Sequence, residues 1–186
     1  MASDTRSRIL ERALELFITH GVAGTTVVMI EEAAGLSPGS GSFYRHFPDK
    51  VAVLRAIIGN ELERVARERE RRVASEQALA DDLRGALQGL EDMSGLIQLL
   101  AREGSSRADL FDPVRTVLAE EGARLEAGRL RERMERGEIR VGDASAMATV
   151  VVYALVGFHL AQEFFGGPVG VGRERFVDAL VDLLAP

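Results

Sequence analysis

TTVVMIEEAAGLSPGSGSFYRHFPDK, running from Thr25 to Lys50, is the stretch on which the reading of this chain turns. Thr25 or Thr26 offers a helix N-cap, and Val27, Ile30, Ala33 and Ala34 follow at the spacing of a buried helical stripe. Gly35 permits a left-handed turn, and a second helix is expected around a Phe-Tyr-x-His-Phe cluster, Phe43 to Phe47. Phe43 and Phe47 lie four apart and should face inward, with Tyr44 and Arg45 on the other side. A helix, a glycine turn and a second helix make the pattern of a helix-turn-helix, whose second helix enters the DNA major groove while the first braces it.

The flanks supply what such a motif needs for a core. Ile9, Leu10, Ala13 and Phe17 repeat at helical spacing from about Thr5 to His20, with Asp4 or Thr5 as cap and Gly21 as stop. On the other side Asp49 caps a helix whose apolar face is Val51, Leu54 and Ile58. From Glu61 to Arg72 the chain is nearly all Glu and Arg, the composition of a solvated helical connector.

Further on, the pattern predicts a helix from Gln77 to Glu103, bent near Ser94-Gly95. Asp112-Pro113 reads as the N-cap and first residue of a helix reaching Arg136, with Gly137 as its stop. Asp143 opens an apolar helix ending near Phe165. The last helix, Glu174 to Leu184, carries a stripe of Phe176, Ala179, Leu180, Leu183 and Leu184. No strand pattern is present, so the expected fold class is all-α.

Bulk composition narrows the function. The 186 residues include no Cys and only three His, His20, His46 and His159, which argues against disulfides, thiolate chemistry and a structural zinc site. The N-terminus lacks the basic-then-apolar order of a signal peptide, and a cytoplasmic setting is expected. Ala144 to Ala161 is about long enough to span a bilayer, but it contains Ser145, Thr149 and His159 and lacks flanking Lys or Arg, so a buried helix and no membrane partner are expected. The formal net charge is −6, yet residues 1–60 carry six basic and six acidic groups. An acidic body with a neutral head that places Arg45 and Lys50 near the second helix is compatible with modest phosphate attraction.

Catalytic arrangements do not emerge. Gly35-Leu36-Ser37-Pro38-Gly39 matches the G-x-S-x-G nucleophile elbow by letter, but that motif needs a strand before the serine, and here a helical Ala-rich segment precedes it. Ser37 suits a helix N-cap near a phosphate better. Glu31/Glu32 and Glu120/Glu121 are adjacent on helices, so their side chains diverge by about 100°. Gly166 to Gly172, GGPVGVG, lacks the spacing of either nucleotide-binding glycine motif. Neither an enzyme nor a cofactor is expected.

Residues Thr5 to Leu54 resemble the DNA-binding domain of the TetR (tetracycline-repressor) family of transcriptional regulators, through Phe17, Gly21, Thr26, Ile30, Glu32-Ala33-Ala34-Gly35, Ser37, Tyr44, His46-Phe47 and Lys50. The resemblance implies a three-helix helix-turn-helix domain over residues 1–54 and a helical ligand-binding and dimerisation domain over 55–186. It also implies Thr26, Tyr44 and Lys50 as phosphate anchors. Ser40, Gly41, Ser42 and Arg45 become candidate base readers, Arg45 being the natural partner for a guanine. His46, between Arg45 and Phe47, is open to helix packing or DNA contact. The chain departs from the family pattern in one place that matters: six residues, PGSGSF, separate Ser37 from Tyr44 where four are commoner. Val28 and Met29 also stand where polar residues are usual.

For the remainder the resemblance implies a small-molecule effector site and a homodimer. The residues agree on the dimer, because the 144–165 helix is apolar almost all round and 174–184 adds a second stripe. Met93, Leu96, Ile97, Leu100, Phe111, Val117 and Tyr153 are candidate lining for a largely apolar effector, each equally explicable as core. The expectation is a ligand-responsive regulator, in the first instance a repressor, that binds a near-palindromic operator. The rivals are a helical small-molecule-binding protein whose DNA contacts have lapsed and an all-helical enzyme.

Overall fold

The computed structural model describes residues 2–73, 77–167 and 170–186. Among them are nine α-helices and no strand: α1 (Ala2–Gly24), α2 (Val27–Ala33), α3 (Lys50–Val73), α4 (Leu79–Asp92), α5 (Ser94–Glu103), α6 (Ala108–Arg115), α7 (Gly122–Glu135), α8 (Ala144–Phe165) and α9 (Arg173–Leu184). They form two compact units, one of residues 1–64 with 93–114 and one of 65–92 with 115–186.

In the first unit α1, α2 and α3 close over Ile9, Ala13, Phe17, Val22, Ile30, Phe43, Val53 and Leu54, all fully buried. The first helix begins at Ala2, so Asp4 and Thr5 lie inside it and cap nothing; Asp4 instead faces the positive end of the helix dipole. Gly21 breaks the helix with φ 73° and ψ 163°, a region that residues with a Cβ scarcely enter. The break is held from α5. Glu103 Oε1 accepts a hydrogen bond from the Val22 amide at 3.2 Å, and Arg102 donates to the carbonyls of Ile18 and Thr19 at 2.8 and 3.1 Å. A Cβ on Gly21 would lie 2.9 Å from Glu103 Oε1. Gly21→Ala is therefore expected to destabilise the protein by about 1–3 kcal/mol, measured by urea unfolding.

The second unit is built on α8, which packs along α7 and against α4, with α9 also on α4. Its core joins Leu83 and Leu87 of α4, Leu130 of α7, Val151, Leu155 and Phe158 of α8, and Val177, Leu180 and Leu184 of α9. The Phe158 and Phe176 rings stack 4.2 Å apart. Asp143 caps α8 as expected, accepting from the Ser145 and Ala146 amides at 2.9 and 3.1 Å, and Gly166 ends it.

A buried ion network ties α4 to α7. Asp82 is 4 % exposed. Its Oδ2 pairs with Arg133 at 2.6 Å, and its Oδ1 contacts the Arg129 guanidinium. Arg133 also reaches Glu138 at 2.6 Å and the Gln77 carbonyl at 2.5 Å. Hydrogen bonds from Arg136 and then Arg133 hold the Glu138 carboxyl below its ordinary range.

Three further expectations are corrected. The Gln77–Glu103 stretch is two helices, since the chain breaks at Met93. Asp112-Pro113 opens no helix, because Pro113 sits inside α6. Proline has no N–H for the carbonyl of Asp109 and crowds it, and the chain passes into a wider π turn over Thr116–Glu121 before α7 begins. On α9 Ala179 and Leu183 are exposed and Phe176 half-buried, while Val177, Leu180 and Leu184 point into the core. A stripe read as one face is thus two.

Candidate nucleic-acid interface

Thr26 starts the site. Its backbone is extended, its hydroxyl accepts from the Met29 amide at 3.2 Å, and α2 begins at the next residue. That bond uses the oxygen and leaves the hydroxyl hydrogen to donate outward, the geometry a phosphate contact needs. Thr25, the other cap candidate, is buried and donates to the carbonyls of Gly21 and Leu16 at 2.8 and 3.2 Å. It closes the end of α1. Thr26→Ala is expected to cost about 1 kcal/mol of stability, seen in the denaturant midpoint.

Lys50 is committed to the same corner. Its ammonium donates to the Thr25 carbonyl at 2.6 Å and the Ala23 carbonyl at 3.2 Å. A cation at the first residue of α3 opposes that helix's dipole, but here it satisfies carbonyls at the end of α1. Ammonium has three donors, so one remains for a phosphate. Asp49 caps α3 as expected, accepting from the Ala52 amide at 2.8 Å.

The second helix of the motif differs most from expectation. In place of a helix from about Ser40, the chain makes turns over 38–42 and a single 3₁₀ turn, Phe43–Arg45. Gly39 and Gly41 have φ of 76° and 73°, which a right-handed helix cannot contain, and Pro48 closes the far end. The two-residue lengthening is thus absorbed as a glycine turn that consumes the helix. Ser37 caps no helix; its carbonyl accepts from the Ser40 amide at 3.2 Å. The Ser40 hydroxyl donates to Ser42 Oγ at 2.9 Å and accepts from the Ser42 amide at 3.3 Å.

Facing directions follow the aromatic spacing. Phe43 and Phe47 are buried, their ring centroids 6.1 Å apart, and Phe43 meets the edge of Tyr44 at 5.4 Å. The Arg6 guanidinium lies 5.1 Å from the Phe47 ring centroid. Tyr44 is 61 % exposed. Arg45, Ser37 and Ser40 are exposed too, and Gly41, Ser42, His46 and Lys50 are half-buried. One short segment therefore presents an aromatic hydroxyl, a guanidinium and serine hydroxyls to solvent, the donor set that reads phosphates and guanine edges.

Glu31 is the residue that sequence reasoning missed. It is 2 % exposed, and its Oε2 accepts from the Gly39 amide at 3.1 Å. The available signal was its spacing: Val27, Ile30, Glu31 and Ala34 stand at i, i+3, i+4 and i+7, and Ala33 is the one left exposed.

The seven candidate effector residues are divided between the units. Met93, Leu96, Ile97 and Phe111 are buried and Leu100 half-buried in the first. Val117, half-buried, and Tyr153, 62 % exposed on α8, belong to the second. Among the described residues no cluster of His, Cys, Asp or Glu is arranged to hold a metal.

Residues 9–57 match the family model described as "Bacterial regulatory proteins, tetR family". The chain is 36 % identical over 89 residues to the HTH-type transcriptional repressor AcnR of Corynebacterium glutamicum, a match covering 48 % of this chain and 44 % of AcnR. It thus spans less than half the length of that relative. An uncharacterised HTH-type transcriptional regulator of Mycobacterium bovis is 28 % identical over 160 residues, 81 % of this chain and 77 % of that protein. Among solved structures, AibR in complex with isovaleryl coenzyme A and operator DNA superposes with a TM-score of 0.64 at 19 % identity, over 98 % of both chains, a likeness of fold.

Proposed function

We propose that this chain, which belongs to the tetR family of bacterial regulatory proteins, is a cytoplasmic, homodimeric repressor that binds a near-palindromic operator and is released by a small, largely apolar effector. Its curated relatives are named as transcriptional regulators, and it is a DNA-binding regulator, not an enzyme. The observation that carries the reading is the solvent-facing set of Thr26, Tyr44, Arg45 and the Ser40–Ser42 turn, held over a core of Phe43 and Phe47. Thr26, Tyr44 and Lys50 would position the protein on phosphates, and Ser40, Gly41, Ser42 and Arg45 would read bases. In this reading residues 1–54 bind DNA and 55–186 bind the effector and a second copy.

Support for the dimer comes from the open side of α8 and α9. Val150, Tyr153, Phe164, Phe165 and Leu183 are between 47 and 81 % exposed. That much uncovered apolar surface on a helix pair marks a contact face, and a two-fold pairing would make a four-helix bundle. Such a pairing also accounts for α8, which by length and hydropathy would pass as a membrane span. An effector that binds one arrangement of the dimer better than another would shift its affinity for DNA, and operator would shift effector affinity equally.

Selection from a random duplex pool tests the proposal. The expected product is a near-palindrome with half-sites about 10 base pairs apart, or a multiple of that. The short 3₁₀ recognition element favours the alternative, a ligand-binding protein whose DNA contacts have lapsed, and failure to enrich any motif would establish it.

A further inference from the structure

We infer that Glu31 is a positioning residue for base recognition: its buried carboxylate pins the lengthened turn that carries three of the four base readers, Ser40, Gly41 and Ser42. The inference rests on the DNA-binding reading above. Between Leu36 and Phe43 lie six residues, SPGSGS, two of them glycines with φ near 75°, and such a segment has much conformational freedom to lose. Glu31 grips it at two points. Its backbone carbonyl accepts from the Leu36 amide at 2.8 Å, where α2 ends. Its side chain accepts from the Gly39 amide at 3.1 Å, in the middle of the turn. Ser40 and Ser42 then fix each other through their hydroxyls, and the buried Phe43 ring anchors the far end.

Ordinary stability does not account for a carboxylate here. Glu31 is 2 % exposed, and its Oε1 is buried with no hydrogen-bond partner. Leaving a carboxyl oxygen in that state is unfavourable, and an apolar side chain on this face of α2 would pack without the penalty. A group that weakens the fold while fixing a solvent-facing turn is the arrangement expected where local strain serves function. Thr26, Tyr44 and Lys50, the phosphate anchors of the proposed interface, lie outside the tethered segment. Loss of the carboxylate should therefore relax base discrimination and leave the sequence-independent attraction to DNA intact.

The test compares wild type, Glu31→Ala and Glu31→Gln as full-length proteins. Each is measured by thermal unfolding, by hydrogen exchange at the Gly39 amide, and by anisotropy on the wild-type-selected duplex and a scrambled one. For Glu31→Ala the melting temperature should be unchanged or raised, Gly39 exchange faster, and the ratio of matched to scrambled affinity lower by about tenfold or more, the scale of one lost base contact. Glu31→Gln keeps an acceptor oxygen for Gly39 and should retain most of the discrimination. Unchanged discrimination in Glu31→Ala overturns the inference. So does an equal loss on both duplexes together with a lowered melting temperature, which is the mark of a merely structural residue. If wild type itself enriches no sequence, the DNA-binding reading has failed first and the inference falls with it.

Discussion

Replacing Asp82 with Ala is expected to lower the unfolding free energy by about 3–5 kcal/mol, a large share of the stability of a domain this size. The reason is asymmetric. Asp82 is 4 % exposed and faces two guanidinium groups, Arg129 and Arg133. Removing it leaves Arg133, itself 6 % exposed, without its central counter-charge. Glu138 would still pair with Arg133, but from a position 39 % exposed at its side chain and already shared with Arg136. Asp82 also lies in the first turn of α4, where a negative charge favours the helix dipole, though by only about 0.3–1 kcal/mol. Its neighbour separates the two effects. Asp81 occupies the same turn and pairs with Arg84 at 2.9 Å, but its side chain is 58 % exposed. Asp81→Ala should cost less than about 1 kcal/mol. Equal losses for the two variants in urea unfolding would show that the burial of Asp82 carries no special weight.

The second large effect is expected on assembly. Val150 on α8 is 66 % exposed and Leu183 on α9 is 67 % exposed, so neither contributes much to the core of a single chain. Glu at both positions should leave the monomer folded while placing charge in the proposed two-fold bundle. Sedimentation is expected to show a monomer. Operator affinity should then fall by about a hundredfold or more, because each DNA-binding head loses the effective concentration its tethered twin supplies. A double variant that remains dimeric would move the interface to another face.

Where the sequence was legible, one physical signal dominated each element. Asp143 and Gly166 bracket a long apolar run, and α8 occupies the span between them. Phe43 and Phe47 turn inward with Tyr44 and Arg45 outward because the 3₁₀ turn is closed by an α-type bond, the Phe47 amide donating to the Phe43 carbonyl at 3.0 Å, which restores the i, i+4 spacing. It was less legible where two local signals competed. Asp112-Pro113 is a good helix start by itself, yet the preceding residues 108–111 already favour helix, and Leu110, Phe111 and Val114 are buried together. The recognition segment combined an aromatic helical spacing with two glycines, and the glycines decided the backbone. Glu31 was hidden because residue type argued for solvent while spacing argued for the core. Only tertiary packing, which puts the Gly39 amide beside it, shows which prevails.

The central claim is that the segment around Tyr44 reads DNA. Fluorescence anisotropy on the selected duplex and on a scrambled one, across a range of salt and with Tyr44→Ala alongside, tests it most directly. Affinity for the selected duplex is expected to exceed that for the scrambled one by about a thousandfold or more and to fall linearly with the logarithm of salt. Tyr44→Ala should weaken binding to both duplexes, as the loss of a phosphate anchor requires. Equal affinity for the two sequences, indifferent to the Tyr44 substitution, would contradict the account.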